Sequence, residues 1–322
     1  MTQSIGTRPG TRARPLILDS SLLSTAACST RVLMRHLHGM ASPTENTPVA
    51  CGSAIHTALE AWFKGKTTSE AMDILAEAYR SLGSRLDPDD PRSWDNVSRT
   101  LAHWLENHQR DGFPWVVPSP NMVEIGFTYP LAKYHGRPIL IAGRLDLVGY
   151  ELTDLGKRWV IVDHKTSSQS GEWFTSDFDM SAQVSCYTWV ARKILGHKFR
   201  KMWINHIHLT KLSTAKTKCP EHGMERVKCA LLHPKHSLFS IERSNEELAA
   251  WHQSAVVLAK RVARLFARYP RLEDVRKAPA EGVHYYRMCK NCDFRNWCRS
   301  GRQLRLVKTQ LRHDPWDPRA DD

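Results

Sequence analysis

The residues whose types and spacing could do chemistry fall in two short runs, Gly143-Arg144-Leu145-Asp146 and Val160-Ile161-Val162-Asp163-His164-Lys165-Thr166. Side chains alternate along an extended run, so Leu140, Ala142, Arg144, Asp146 and Val148 share one face. By the same rule Trp159, Ile161, Asp163 and Lys165 share a face in the second run. Asp163 and Lys165 therefore project together from the end of an apolar strand, and a hairpin pairing of the two runs brings Asp146 to them. Paired carboxylates are hard oxygen ligands for Mg2+ or Mn2+, ions that keep waters for a phosphate and a nucleophile. Such an ion lowers the pKa of its bound water and offsets charge on a phosphate under attack. A lysine beside that water stabilises the developing negative charge. An isolated Asp-x-Lys is also the pattern of a surface ion pair, so the surrounding residues decide.

Eight cysteines are the second chemistry-bearing set: Cys28, Cys51, Cys186, Cys219, Cys229, Cys289, Cys292 and Cys298. The opening segment carries arginines with no apolar run behind them, unlike a secretory signal. The thiols are accordingly expected in a reducing, cytoplasmic setting, as metal ligands or buried side chains rather than disulfides. Cys289, Cys292 and Cys298 form C-x2-C-x5-C. A fourth thiolate, from Cys28 or its rival Cys51, would complete a set suited to Zn2+ or to a [4Fe-4S] cluster. A mixed set, Cys219, His222, Cys229 and His233, has the spacing C-x2-H-x6-C-x3-H. It is compatible with a small zinc site, and also with free thiols and solvated histidines in a polar hairpin. Lys211, Lys216, Lys218, Arg226 and Lys228 around it make a basic protrusion, either a grip on a DNA backbone or a solvated loop.

These sets need elements to position them. Apolar spacing predicts a first helix from Ser21 through Cys28 to about His38, then helices around 51–65, 69–82 and 93–110. From Met122 the period changes to that of strands, three of them joined by short turns at His135-Gly136 and Leu155-Gly156. A helix follows at about 181–195, strands near 201–210 and 237–242, and a long helix at 245–268. Helices, a strand meander, a helix and more strands imply an α+β or α/β fold with a mixed central sheet flanked by helices. The domain reading is a flexible basic arm at 1–17, a main domain at 18–300 and a charged tail at 301–322. Within the main domain the helical part covers about 18–120, the catalytic core about 121–243, and the long helix and cysteine loop about 244–300.

Composition excludes several classes. The chain has 322 residues, 41% hydrophobic and 25% charged, which is ordinary for a globular protein. No run approaches the roughly 20 apolar residues of a membrane helix, so no membrane partner is expected. There is no phosphate-binding glycine loop of the nucleotide-motor type. Forty-six Lys and Arg against 33 Asp and Glu leave +13, which points to a polyanion such as DNA.

The motif order resembles that of the PD-(D/E)XK nuclease superfamily, specifically its RecB-like branch. Gly143 and Asp146 match G-x-x-D, Asp163 to Thr166 match D-x-K-T, Gln183 and Tyr187 match Q-x-x-x-Y, and Gly52 and His56 match an upstream helical G-x-x-x-H. The resemblance implies a restriction-endonuclease-like core in which Asp146 and Asp163 bind Mg2+ or Mn2+ and Lys165 is the catalytic lysine. It further implies that His56 completes the metal shell or contacts the scissile phosphate region, that the His164 carbonyl is a further ligand, and that Gln183 and Tyr187 organise the active site or the DNA backbone. One early cysteine with a late cluster is similar to the iron–sulfur subset, which includes CRISPR-associated exonucleases and helicase–nuclease subunits. That implies a [4Fe-4S] cluster on Cys28, Cys289, Cys292 and Cys298, with zinc as the alternative, and a helicase, recombinase or CRISPR-adaptation partner. Glu124 is expected to pair with a basic residue rather than to meet the metal. The superfamily's Pro-Asp dipeptide is absent, as in many RecB-like members. The expected function is a metal-dependent DNA exonuclease. The alternative is a non-catalytic nucleic-acid-binding subunit, against which the intact Asp146, Asp163 and Lys165 argue.

Overall fold

The computed structural model describes residues 14–43, 47–83, 86–87, 90–210, 218–219, 221–225, 228–229, 232–284, 286–290 and 292–317. Most of the expected arm, residues 1–13, lies outside the described residues, as do Lys211, Lys216, Arg226 and the end of the tail. In chain order the early elements are β1 (Leu16–Leu18), α1 (Ser20–Thr25), α2 (Ser29–Val32), β2 (Met40–Ala41), α3 (Thr47–Phe63), α4 (Thr68–Gly83) and α5 (Trp94–Asp111). Then come β3 (Val123–Tyr134), β4 (Arg137–Thr153), β5 (Gly156–Ser167), α6 (Glu172–Thr175), α7 (Ala182–Leu195), β6 (Phe199–His208) and β7 (Lys235–Ile241). The chain closes with α8 (Asn245–Arg268), α9 (Tyr286–Lys290), α10 (Arg295–Arg299), α11 (Val307–Gln310) and β8 (Arg312–His313). No helix among the described residues is long and apolar enough to cross a membrane.

The chain divides into two compact units. One holds residues 46–125 and 145–244. Its sheet sets the second half of β4 against β5 in antiparallel register (Leu147↔Val162 to Thr153↔Gly156), β5 parallel to β6, and β6 antiparallel to β7. This is the mixed sheet flanked by helices expected from the element order. Pleat alternation sends Val160, Val162 and His164 to one face and Ile161, Asp163 and Lys165 to the other. On the first face lie α3 and α5: the His164 ring stacks on Phe63 of α3, and Trp104 of α5 lies edge-on to it. On the other face Gln183 of α7 reaches Asp163. Helices α3 to α5 bury Ile55, Leu59, Leu75, Tyr79, Leu101, Trp104 and Leu105 together, each large aliphatic side chain contributing about 1.5–3 kcal/mol by leaving water. Ser181 caps α7 by accepting from the Val184 N–H, which fixes where its first turn begins. Gly149 is required by a close approach: a Cβ there would lie 2.9 Å from the Val116 carbonyl oxygen, where Val116 bridges Tyr150 of β4.

The other unit holds residues 1–45, 126–144 and 245–321. Here β1 runs parallel to the first half of β4 (Leu16↔Ile139), and β2 pairs antiparallel with β8. Strands β3 and β4 meet at a turn with φ of 45° at His135 and 76° at Gly136, the double positive φ that a tight hairpin demands. Helices α1 and α2 pack on α8, and Leu33, Met34, Tyr269, Val275, Phe294, Trp297 and Val307 form the core. The continuous first helix expected across Cys28 does not form. Asp19 caps α1 through the Leu22 N–H at 2.6 Å, and the chain is extended at Cys28 (φ −115°, ψ 107°) before α2 begins. The break has a partner far along the chain: Glu281 accepts from the Ser29 N–H and hydroxyl, both at 2.8 Å. A carboxylate at the first turn satisfies an amide that a continuous helix would have used internally.

Candidate functional site

Asp146 and Asp163 come from neighbouring strands. The antiparallel register Leu147↔Val162, continued by one step, sets Asp146 opposite Asp163. Both are buried, with 8% and 2% exposure. A carboxylate buried that far needs partners, and each has them. The His164 backbone N–H donates to Asp146 Oδ2 at 2.6 Å. Lys165 Nζ lies 2.6 Å from Asp163 Oδ2, and the Gln183 amide donates to Asp163 Oδ1 at 3.4 Å. Burial lifts the Asp163 carboxyl above its ordinary range, with Lys165 opposing and Asp146 adding to the rise. Burial alone would pull the Lys165 ammonium down, but Asp163 and Asp146 outweigh it and hold it above its usual value. Lys165 is therefore a fixed positive charge beside two carboxylates.

His56 of α3 approaches from above the same strand end. Its Nε2 lies 2.9 Å from the His164 carbonyl oxygen, and its Nδ1 lies 3.6 Å from Asp146 Oδ2. With Nε2 turned to the carbonyl, Nδ1 is the ring atom that faces the Asp146 carboxylate. Glu124 completes the group: ligand atoms of His56, Glu124 and Asp146 all lie within 4.8 Å of one another. Glu124 sits at the start of β3 with φ of 55°, a left-handed conformation uncommon for a residue with a Cβ.

A family model described as the PD-(D/E)XK nuclease superfamily matches residues 20–299. The chain belongs to the PD-(D/E)XK nuclease superfamily. No curated protein matches it. Solved structures of Rai1 from Scheffersomyces stipitis are similar at 8% and 10% identity, one of them in complex with (3'-NADP)+ and calcium ion. Each alignment covers 79% of this chain and 61% of the solved chain, with a TM-score of 0.25.

Nucleases of this superfamily typically use Mg2+ or Mn2+, and the donor set fits such an ion: carboxylates, a backbone carbonyl and one imidazole are the oxygen-rich ligands it prefers. Residues that sequence spacing did not single out support the site from behind. The Trp104 indole N–H donates to Asn205 Oδ1 at 3.1 Å, which fixes the amide so that its nitrogen donates to His164 Nδ1 at 2.6 Å. Burial drops the His164 imidazole to about 3, so it stays neutral and accepts. Asn205 pairs with His164 across β5 and β6; an uncharged amide between Ile204 and Ile207 in a strand was the available signal. Tyr187 is buried and bonded to Gln183, one turn away on α7. It reaches Asp163 through that amide.

The cysteines separate in the same way. Cys51 is buried in the α3–α5 core, where the Tyr79 hydroxyl donates to its sulfur at 3.7 Å. Cys28, Cys289, Cys292 and Cys298 line one cavity of about 270 Å3 together with Arg31, Lys290, Arg295 and Arg299. The Cys289 thiol donates to the Gly282 carbonyl at 2.9 Å. A Cβ at Gly282 would lie 3.3 Å from both the Cys28 and the Cys289 sulfur. Among the described residues no three of these sulfurs lie within 4.8 Å of one another.

Proposed function

We propose that the chain is a DNA exonuclease of the RecB-like branch, acting with Mg2+ or Mn2+ at the Asp146–Asp163 site and carrying a [4Fe-4S] cluster on Cys28, Cys289, Cys292 and Cys298. The observation that carries the reading is the 2.6 Å pairing of Lys165 with buried Asp163, which the antiparallel register sets opposite Asp146. Asp146, Asp163, Glu124, His56 Nδ1 and the His164 carbonyl are the groups that would hold the divalent ion. When bound, that ion supplies Lewis acidity and an activated water. Lys165, kept charged by two carboxylates, orients the attacking water and stabilises negative charge on the phosphate oxygens. Gln183 holds the Asp163 carboxylate in line, with Tyr187 behind it.

The net charge of +13 supports a DNA substrate. Four sulfurs spread around a cavity support a polynuclear cluster, because one zinc would draw thiolates to about 3.8 Å from each other at Zn–S bonds of about 2.3 Å. Four basic residues lining that cavity suit the negative charge of such a cluster. Reduced thiols suit a cytoplasmic setting, with a helicase, recombinase or CRISPR-adaptation complex as the class of partner.

The test uses end-labelled single- and double-stranded linear DNA and a closed circle, with and without Mn2+. Metal-dependent release of label from linear DNA with the circle intact is the expected result. Cleaved circles would make it an endonuclease, and inert DNA of every form with Mn2+ present would overturn the reading.

A further inference from the structure

The chain between β6 and β7 spans residues 209–234, and beyond Leu209, which packs in the α3–α5 core, its described residues bury little. Cys229 is buried at 7% exposure, whereas Leu232 is 61% exposed. A loop of this length without an apolar core needs another constraint to hold a shape. Yet it has one. Lys218 bridges Glu225 as in a small hairpin, the Cys219 N–H donates to the Met224 carbonyl at 2.7 Å, and the Gly223 N–H donates back to Cys219 at 2.8 Å. Gly223 takes φ of 66°, the left-handed step that lets the chain fold back within four residues. Further on, the Cys229 N–H donates to the Glu225 carbonyl at 2.8 Å and the His233 N–H to the Cys229 carbonyl at 2.9 Å, each bond of helical span. Cys229 and His233 thus share a helix face, being four residues apart.

The turn and the helix bring their sulfur and nitrogen atoms to one point. Ligand atoms of Cys219, His222 and Cys229 all lie within 4.8 Å of one another. His222 Nδ1 is 3.7 Å from the Cys219 sulfur and 3.4 Å from the Cys229 sulfur. A tetrahedral zinc with Zn–S of about 2.3 Å and Zn–N of about 2.0–2.1 Å requires an S···N edge of about 3.6 Å. The two measured edges bracket that length. The His233 ring lies flat on the His222 ring, with centroids 4.1 Å apart and planes at 6°. That contact sets a second imidazole against His222, one of the three grouped residues.

We propose that Cys219, His222 and Cys229, with His233 as the fourth ligand, form a structural Zn2+ site that staples the β6–β7 excursion. Two thiolates and two neutral imidazoles cancel the charge of the ion and close its tetrahedron, leaving no open position for catalysis. The site is separate from the proposed nuclease centre and from the Cys28 set, and neither of those readings is needed for it.

The test measures zinc and iron per full-length chain after zinc-supplemented expression, for the parent and for Cys219→Ser, Cys229→Ser and His222→Ala. The expected result is one zinc equivalent in the parent, lost in each variant while iron is unchanged. Cys219→His keeps a four-ligand set and should retain zinc, which separates ligand loss from misfolding. Replacing zinc by Co2+ in the parent should give the ligand-field bands of a tetrahedral site with thiolate-to-metal charge transfer, weakened in His233→Ala. Unchanged zinc in both serine variants would overturn the site. So would a parent that takes up no zinc when reduced, or one whose mass shows a Cys219–Cys229 disulfide.

Discussion

Asp146 and His164 are joined across β4 and β5 by a 2.6 Å hydrogen bond from the His164 backbone N–H to the Asp146 carboxylate. The same residue carries the carbonyl that lies 2.9 Å from His56 Nε2. One residue between Asp163 and Lys165 therefore orients an acid on the neighbouring strand and a histidine on α3. Its own ring is locked by Asn205 and stacked on Phe63. Such a site is held in place before any ligand arrives, so little reorganisation remains to be made during reaction.

Asp163→Ala should abolish cleavage of labelled DNA, and Lys165→Ala should slow it by about 100- to 1,000-fold, the range for removing one electrostatic donor. DNA affinity, measured by fluorescence anisotropy, should change by no more than a few fold in either variant. Cleavage at the parental rate in both would show that this pair is a structural ion pair.

Glu124→Gln tests the acid brought in by β3. Its carboxylate shares a 4.8 Å group with His56 and Asp146, so the neutral variant should raise the Mn2+ concentration for half-maximal cleavage by about tenfold, the loss typical of a weakened metal shell. Thermal stability should stay close to parental because the side-chain shape is kept. A parental Mn2+ dependence would exclude Glu124 from the shell.

Gly282→Ala should disturb the cysteine cavity without touching a thiol, because its Cβ would sit 3.3 Å from two sulfurs. Iron and acid-labile sulfide per chain should fall, as they should in Cys28→Ala. Cys51→Ala should keep both, losing about 1 kcal/mol of stability from the small void it leaves in the α3–α5 core. Full iron content in Cys28→Ala would remove that residue from the cluster.

Stability should fall with acid from near pH 6.5 downward. Burial and the neighbouring His208 lower the His206 imidazole to about 4, and it stacks on Phe174 at 3.6 Å. The unfolded chain takes up that proton near pH 6.5, whereas the folded chain resists it until about pH 4. Between those values the unfolded state binds more protons, so each such histidine removes about 1.4 kcal/mol of stability per pH unit of acidification. His206→Gln should make urea-derived stability less steep over pH 6.5 to 5, and equal slopes in parent and variant would contradict this.

The alternation of a strand is a local property of the pleated backbone, and it alone puts Asp163 and Lys165 on one face. Helical spacing likewise sets the extents of α4, α5, α7 and α8, because each needs an apolar stripe to bury. The mixed sheet followed from the order of those elements. Other features belong to the tertiary structure. Glu124 reaches His56 and Asp146 only because the backbone turns left-handed at the start of β3, and no spacing rule signals that turn. Trp104 meets Asn205, 101 residues away, and Asn205 meets His164, 41 residues away, through helix packing and strand register. The helix expected through Cys28 is broken because Glu281, 252 residues away, takes the Ser29 amide. Local pattern decides what a segment can form. Which distant carboxylate, amide or thiol completes it is decided when burial forces every polar group to find its partner.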